Sequence, residues 1–216
     1  MASNVDERPV IDEEAYYNDA SLGATWTASR TAVAMVATLY GGLAFAFFYL
    51  QSLNSNGQWN PNHMTASTII GTTIMVLIVA AAFVNYFGAR RLRRGLVVDW
   101  QVAGAFAALF VIVAGGLQIW ELTRLPFQPS SFGYASVFVA FGPVNALAIL
   151  LTGYGLETEV MKSVKIKKKA IADGGLGLSS LPIAEQFRAN LDGISFFLNS
   201  FAVITVVFYV IFYVVA

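Results

Sequence analysis

The chain has 216 residues, of which 57% are hydrophobic and 12% charged, and its mean hydropathy is +0.64. Soluble domains carry about 25% charged residues, so the composition excludes a domain that faces water on all sides and indicates a lipid environment. The zero formal net charge gives no basis for a nucleic-acid partner, and the lack of cysteine excludes disulfides, iron–sulfur clusters and thiolate metal sites.

Residues 1–30 are predicted to form an acidic tail outside the membrane. Acidic side chains crowd residues 2–21, where Arg8 is the one basic residue. This stretch does not have the basic start and apolar run of a signal peptide. A solvated, poorly ordered tail is the favoured interpretation, and a tail that docks a partner is the alternative.

Five apolar segments are each long enough to cross a membrane as a helix. A hydrocarbon core of about 30 Å takes about 20 residues of helix, and such segments are predicted at 31–53, 65–88, 100–123, 133–156 and 193–216. Barrel strands would be about 10 residues long and alternating. The sequence therefore predicts an all-α bundle of five transmembrane helices, with residues 31–216 as its transmembrane domain.

The loops between these segments differ in charge. The loop at 89–99 contains four arginines, and the loop at 157–192 contains five lysines and one arginine. The other two loops are nearly free of lysine and arginine. The positive-inside rule then predicts a cytoplasmic N-terminus and an outer C-terminus. Side chains predicted to contact lipid headgroups at the two surfaces are Trp59, Trp100, Arg90, Arg91, Lys167 and Lys168.

Polar side chains within the spans are few. Glu121 is predicted to form an ion pair with Arg124, three residues on, and a proton-related role is the alternative because an acid in lipid is costly. Gln118, Asn145 and Asn199 are predicted to make hydrogen bonds between helices. Pro143 removes a backbone donor and predicts a kink in the fourth helix, with a substrate site at the break as the alternative.

The chain has few side chains suited to redox chemistry. Haem iron needs axial ligands, and a copper–haem centre needs several histidines, whereas the single histidine, His63, falls in a polar loop and is predicted to be solvated. The glycine-rich stretch at 173–180 follows no strand and is predicted to be a flexible loop. The sequence predicts no catalytic, metal or cofactor site in this chain.

Four segments stand in an order that is typical of one family. They are TLYGGLAFAFFYLQSLNSNGQWNP, the basic turn YFGARRLRRG, the segment LQIWELTRLPFQPSSFGYASVFVAFG, and the aromatic last helix. The third carries the strongest match, since Gln118 and Glu121 reproduce a Gln-x-x-Glu pattern ahead of an aromatic, glycine-containing turn. Across nearly all of residues 30–216 the chain resembles subunit III of the haem–copper oxidases, the family of cytochrome c and quinol oxidases.

The chain departs from the family pattern at three places. The family has paired histidines in the fourth span, whereas residues Phe141–Asn145 of this chain contain none. The position of the family's first-helix acid falls near Val36, where this chain has no acidic residue. Asn199 and Ala202 stand where the last helix usually has histidine and aspartate. The resemblance is therefore to a divergent member, and the departures remove the residues on which a direct proton role would most easily depend.

The resemblance implies an accessory, non-catalytic subunit of a proton-translocating respiratory oxidase in the cell's plasma membrane. It implies packing against subunit I and also subunit II, haem and copper in those partners, and phospholipid in a V-shaped cleft between helices 1–2 and 3–5. Candidates for structural or cleft-lining roles are Gln118, Glu121, Arg124, Asn145 and Asn199.

Two other functions are compatible with the sequence. One is an accessory chain of a nitric-oxide reductase or another respiratory supercomplex. The other is a free-standing small transporter or lipid-binding membrane protein, although transporters often carry internal repeats and none is evident here.

Overall fold

The computed structural model describes residues 12–54, 57–61, 64–172 and 182–216. Within these ranges the chain forms α1 (Glu13–Ser52), α2 (Thr68–Leu92), α3 (Val97–Leu122), α4 (Gly133–Ala172) and α5 (Pro182–Tyr209), and a π-helical turn at Val210–Val214 continues α5. Each of the five helices is long and apolar enough to cross a membrane. The predicted all-α, multi-pass membrane protein is confirmed.

Local sequence sets the ends of α2. The Ser67 hydroxyl accepts a hydrogen bond from the Ile70 amide at the start of the helix (3.5 Å), which is a typical N-cap arrangement. After the helix, Gly95 has a φ of +83°, a backbone conformation that glycine adopts without steric cost. The resulting turn is short, so α2 and α3 run antiparallel side by side.

The first helix begins earlier than predicted. α1 starts at Glu13, so the prediction of a poorly ordered tail is wrong for residues 13–30. This stretch is ordered because it packs on α5: the Thr25 hydroxyl donates to Asn190 Oδ1 (3.3 Å), and Gly193 leaves room for Ser29. Residues 1–11 of the predicted tail lie outside the described residues.

The fourth helix extends past its predicted end at residue 156 and continues to Ala172. Its extension is rich in strong helix formers, and Lys162 Nζ lies 2.7 Å from Glu159 Oε1 one turn away. The lysines predicted in a loop therefore lie largely on a helix. α4 is helical on both sides of Pro143, and the predicted glycine-rich loop at 173–180 lies outside the described residues.

The order of packing differs from the predicted split of helices 1–2 from helices 3–5. The most extensive contact joins α2 to α3, followed by α3 to α4, while α1 packs mainly on α5. The contacts within the chain do not support the predicted V-shaped division. Glycines explain the close approach: a Cβ on Gly88 would lie 2.6 Å from Ala103 Cβ, and one on Gly115 would lie 2.6 Å from Leu150 Cδ2.

The bundle has two chemically distinct ends. We call one the aromatic end, where Trp59, Phe127, Phe132, Tyr134 and Phe212 pack together. Its helices are joined by Tyr134, whose hydroxyl donates to the Phe212 carbonyl (3.0 Å) and accepts from the Ala66 amide (3.1 Å). We call the other the arginine end, which carries Arg90, Arg91, Arg93 and Arg94.

Both tryptophans that were predicted to contact lipid headgroups are covered by protein. Trp59 is 6% exposed and packs edge-on against Phe47, and Trp100 is fully buried against Phe187. The predicted headgroup contact is wrong for both. Their indole rings pack between structural elements inside the protein. A tryptophan near the end of an apolar segment can lie in such a packed position or at the membrane surface, and hydropathy does not distinguish the two.

Candidate functional site

A chain of hydrogen bonds crosses the buried interior between three helices. The Tyr40 hydroxyl on α1 donates to Asn145 Oδ1 on α4 (2.7 Å), and Asn145 Nδ2 donates to Gln118 Oε1 on α3 (2.6 Å). Gln118 Nε2 then donates to Glu121 Oε2 (3.0 Å). Each of these four side chains is at most 4% exposed. We call this set, with Tyr213, the polar network.

The π-helical turn adds a fourth element to the polar network. Tyr213 lies in that turn, and its hydroxyl donates to Glu121 Oε2 (2.7 Å). The Tyr213 ring stacks on Tyr209, whose hydroxyl bonds to Thr72 of α2 (2.8 Å). The ring also packs edge-on against Phe138 and lies against the bare backbone of Gly71. π-turns are frequent at functional positions, and here the turn places the phenol against the carboxyl group.

Glu121 does not pair with Arg124. Its Oε2 accepts from Gln118 and Tyr213, and its buried Oε1 has no hydrogen-bond partner among the residues that the structure describes. Arg124 is exposed, with its guanidinium 5.9 Å from the Trp120 ring centre. The predicted ion pair is wrong because Glu121 faces the interior while Arg124 turns outward.

The other predicted polar contacts divide in two. Gln118 and Asn145 bond to each other across α3 and α4. Asn199 is exposed and makes no hydrogen bond with any residue that the structure describes, so the contact between helices predicted for it is wrong. It lines a groove on α5 instead.

The polar network is suited to holding helices together. Interhelical hydrogen bonds in membranes contribute about 0.6 kcal/mol on average and up to about 2 kcal/mol each, and these bonds join α1, α3, α4 and the π-turn. The adjoining cavity, lined by Gln118, Asn145 and Tyr213 among others, has a volume of about 10 Å³. That space is about the size of one water molecule, so the network does not hold an organic substrate.

Replacing Glu121 distinguishes its acceptor role from its acidity. In Glu121→Leu the donors of Gln118 and Tyr213 lose their acceptor, and we expect a loss of about 1–3 kcal/mol in unfolding free energy. Glu121→Gln keeps an acceptor oxygen and should lose less than half as much. Thermal unfolding in detergent measures both, with Glu157→Leu on the exposed surface of α4 as the control. Equal losses in the leucine and glutamine variants would contradict the acceptor role.

A groove opens at the arginine end between α1, α2 and α5. It has a volume of about 1340 Å³, and its lining includes Trp26 and Phe196, whose rings meet edge to face at 5.6 Å. The charged side chains around it are Asp19, Arg90, Arg93, Glu185, Arg188 and Asp192. We call it the charged groove.

One ion pair closes part of the charged groove. Arg93 Nη2 lies 2.6 Å from Asp192 Oδ1, and the hydrogen bond and negative charge of Asp192 raise the pKa of Arg93 above its ordinary value. Both side chains keep much of their surface exposed, so the pair contributes at most about 1 kcal/mol. It joins the end of α2 to α5.

The remaining predicted surface residues lie at or near the arginine end. Arg90 lines the charged groove, whereas Arg91 is 3.5 Å from Asp99 in an exposed ion pair. Lys167 is half-buried and Lys168 exposed, both on the extension of α4, away from the groove.

Sequence reasoning missed residues at both sites. Tyr40 and Tyr213 were hidden among the apolar residues of their spans, although a tyrosine hydroxyl within lipid needs a partner. Asp19, Glu185, Arg188 and Asp192 were assigned to a tail or a loop. Predicting helices at residues 13–30 and 182–192 would have placed these four charged side chains near the ends of the spans.

The described residues contain no group of three or more histidine, cysteine or acidic side chains that could hold a metal ion, and His63 lies outside them. A scan against models of known protein families and a search of curated protein sequences found no match to this chain. In the part of the chain that the structure describes, the fold and sites define the class: a multi-pass membrane protein with five long helices, a buried polar network and a charged groove.

Proposed function

We propose that this chain is a non-catalytic accessory subunit of a respiratory terminal oxidase, similar to subunit III of the haem–copper oxidases. In this proposal it packs on subunits I and II in the cell's plasma membrane, and haem and copper belong to those partners. It stabilises the catalytic subunit and binds lipid during aerobic electron transport.

The observation that carries the proposal is the third resembling segment. Its Gln118 and Glu121 occupy the centre of the polar network and bond to α4 and to the π-turn. Because the Gln-x-x-Glu motif holds helices of this chain together, it fits a subunit that acts by packing against its partners. The departures from the family at Val36, Asn199 and Ala202 fit a subunit with no proton path of its own.

The exposed surface of α1 supports a partner in the membrane. In the most apolar 18-residue stretch of α1, only 11% of the residues are buried within the chain, which is the smallest share among the five candidate spans. Large side chains such as Met35, Phe45 and Phe48 point away from the bundle. Such a face requires lipid or another membrane subunit to cover it.

Purification from the native membrane tests the proposal. A tagged chain extracted in mild detergent should bring haem-bearing chains with it, and the complex should show a reduced-minus-oxidised haem spectrum and consume oxygen. The same chain expressed alone should show no haem absorbance. Recovery as a stable homomer without haem-bearing partners would refute the proposal, and a complex that reduces nitric oxide but not oxygen would favour the reductase instead.

The orientation that belongs to this proposal has a cytoplasmic arginine end and an outer aromatic end, by the positive-inside rule. The chain has no cysteine, so single introduced cysteines report on it directly. We expect Ser131→Cys to react with a membrane-impermeant thiol reagent in intact cells. Lys168→Cys should react only after the membrane is opened. The reverse pattern would contradict this orientation.

A further inference from the structure

The charged groove continues along the bundle into an apolar one. The second groove has a volume of about 420 Å³ and is lined by side chains of α2 and α5, among them Val79, Phe83, Ala202 and Val206. Tyr86 and Asn199 line both grooves, so the two meet. The combined site therefore has a charged section at the arginine end and an apolar section towards the middle of the spans.

This division matches an amphiphile with a charged head and a hydrocarbon chain. At about 1340 Å³, the charged section is larger than typical pockets for drug-sized ligands, which measure about 300–1,000 Å³. Trp26 and Phe196 lie between the charged rim and the apolar section, and both rings are partly exposed to the groove. Their apolar surface can cover the start of a hydrocarbon chain.

The charges around the rim are balanced. Arg90, Arg93 and Arg188 line the charged groove together with Asp19, Glu185 and Asp192. The pair formed by Arg93 and Asp192 satisfies one charge of each sign. The other four side chains make no ion pair within 4 Å with any residue that the structure describes, so two cations and two anions remain available.

Balanced charges favour a headgroup that carries both signs. A purely anionic headgroup would pair with Arg90 and Arg188 but would place its charge near Asp19 and Glu185, and like charges repel. A phosphate joined to an ammonium group can pair with the arginines and the carboxylates together. Hydrogen bonds between ionised groups are about twice as strong as neutral ones.

We propose that the charged groove and the apolar groove together bind one zwitterionic phospholipid. Its phosphate lies at Arg90 and Arg188, its ammonium at Asp19 and Glu185, and one acyl chain follows the apolar groove between α2 and α5. This site does not depend on membership of an oxidase, and it is distinct from the V-shaped cleft that the family resemblance implied.

Lipid competition tests the proposal. The chain of 216 residues is reconstituted in nanodiscs with equal amounts of phosphatidylethanolamine and phosphatidylglycerol. It is then extracted in detergent and examined for retained lipid by native mass spectrometry. We expect one retained phosphatidylethanolamine, favoured about tenfold, the effect of one charged hydrogen bond. Equal retention of the two lipids, or a preference for phosphatidylglycerol, would overturn the proposal.

Two variants separate the headgroup contacts. Arg90→Gln with Arg188→Gln should lower retention of phosphatidylethanolamine about tenfold. Asp19→Asn with Glu185→Gln should shift the preference to phosphatidylglycerol, which a merely structural role would not do. Lys165→Gln with Lys168→Gln, on exposed positions of α4, is the matched control and should retain lipid like the unmodified chain.

Each outcome of the variants decides the proposal. If the arginine variant retains phosphatidylethanolamine like the lysine control, the phosphate contact is refuted. If the acidic variant keeps the original preference, the ammonium contact is refuted. Thermal unfolding identifies a variant that does not fold, and in that case the competition in the unmodified chain decides.

Discussion

Replacing Gly71 with alanine should lower the apparent unfolding temperature by about 2–12 °C. A Cβ at this position would lie 2.6 Å from Cδ1 and Cζ of the Tyr213 ring and closer still to Cε1, so the ring must move. Overpacking of this kind costs about 1–3 kcal/mol, and in a chain of this size 1 kcal/mol corresponds to about 2–4 °C. Thermal unfolding in detergent measures the effect.

The control for Gly71→Ala is Gly116→Ala. Gly116 also lies in a helix, but a Cβ there would meet no heavy atom of the described residues within 4 Å. Because alanine has the better helix propensity, this variant should be unchanged or slightly more stable. Equal unfolding temperatures for the two variants would show that Tyr213 does not pack against Gly71.

A second comparison links Gly71 to the polar network. If the added methyl group displaces Tyr213, the hydrogen bond to Glu121 is already lost in Gly71→Ala. Adding Tyr213→Phe should then cost less than it does in the unmodified chain, because mutations of residues in contact are not additive. Additive effects would mean that the ring moves without breaking the bond.

Replacing Asn145 with leucine should lower the unfolding free energy by about 2–4 kcal/mol. The change removes both hydrogen bonds at the middle of the polar network, leaving the buried Tyr40 hydroxyl and Gln118 Oε1 without partners. A buried polar group left unsatisfied costs about 1–3 kcal/mol. Denaturation of the purified chain, followed by tryptophan fluorescence, measures this loss.

Asn199→Leu is the matched control for Asn145→Leu. Asn199 is an asparagine in a span as well, but it is exposed and makes no hydrogen bond with the residues that the structure describes. We expect its replacement to change stability by less than about 0.5 kcal/mol. A comparable loss in both variants would argue against the polar network as a source of stability.

Both predictions concern the same physical question, which is how a membrane bundle selects one arrangement. Lipid supplies no hydrophobic force between helices, so small residues and polar contacts decide their pairing. Here Gly71 lets the Tyr213 ring approach α2, and that approach brings the phenol to Glu121. An accessory subunit would use such a preformed bundle as a rigid surface for its partners.

The sequence by itself determined the number and type of the spanning elements. An apolar run of about 20 residues in lipid satisfies its backbone only as a helix, and five such runs are evident without a structure. It also marked Gln118, Glu121 and Asn145 as unusual, because polar side chains in hydrocarbon need partners. The spacing of these residues along the chain did not identify their hydrogen-bond partners.

Only the tertiary structure decided which groups meet. Glu121 has Arg124 three residues away, yet it accepts hydrogen bonds from Gln118 and from Tyr213, which is 92 residues along the chain. The burial of Trp100 against Phe187, the packing of α1 on α5, and the charged groove likewise arise between distant segments. The physical reason is that both the lipid-facing and the protein-facing sides of a membrane helix are apolar. The sequence therefore does not show which face is buried, and packing between helices determines it.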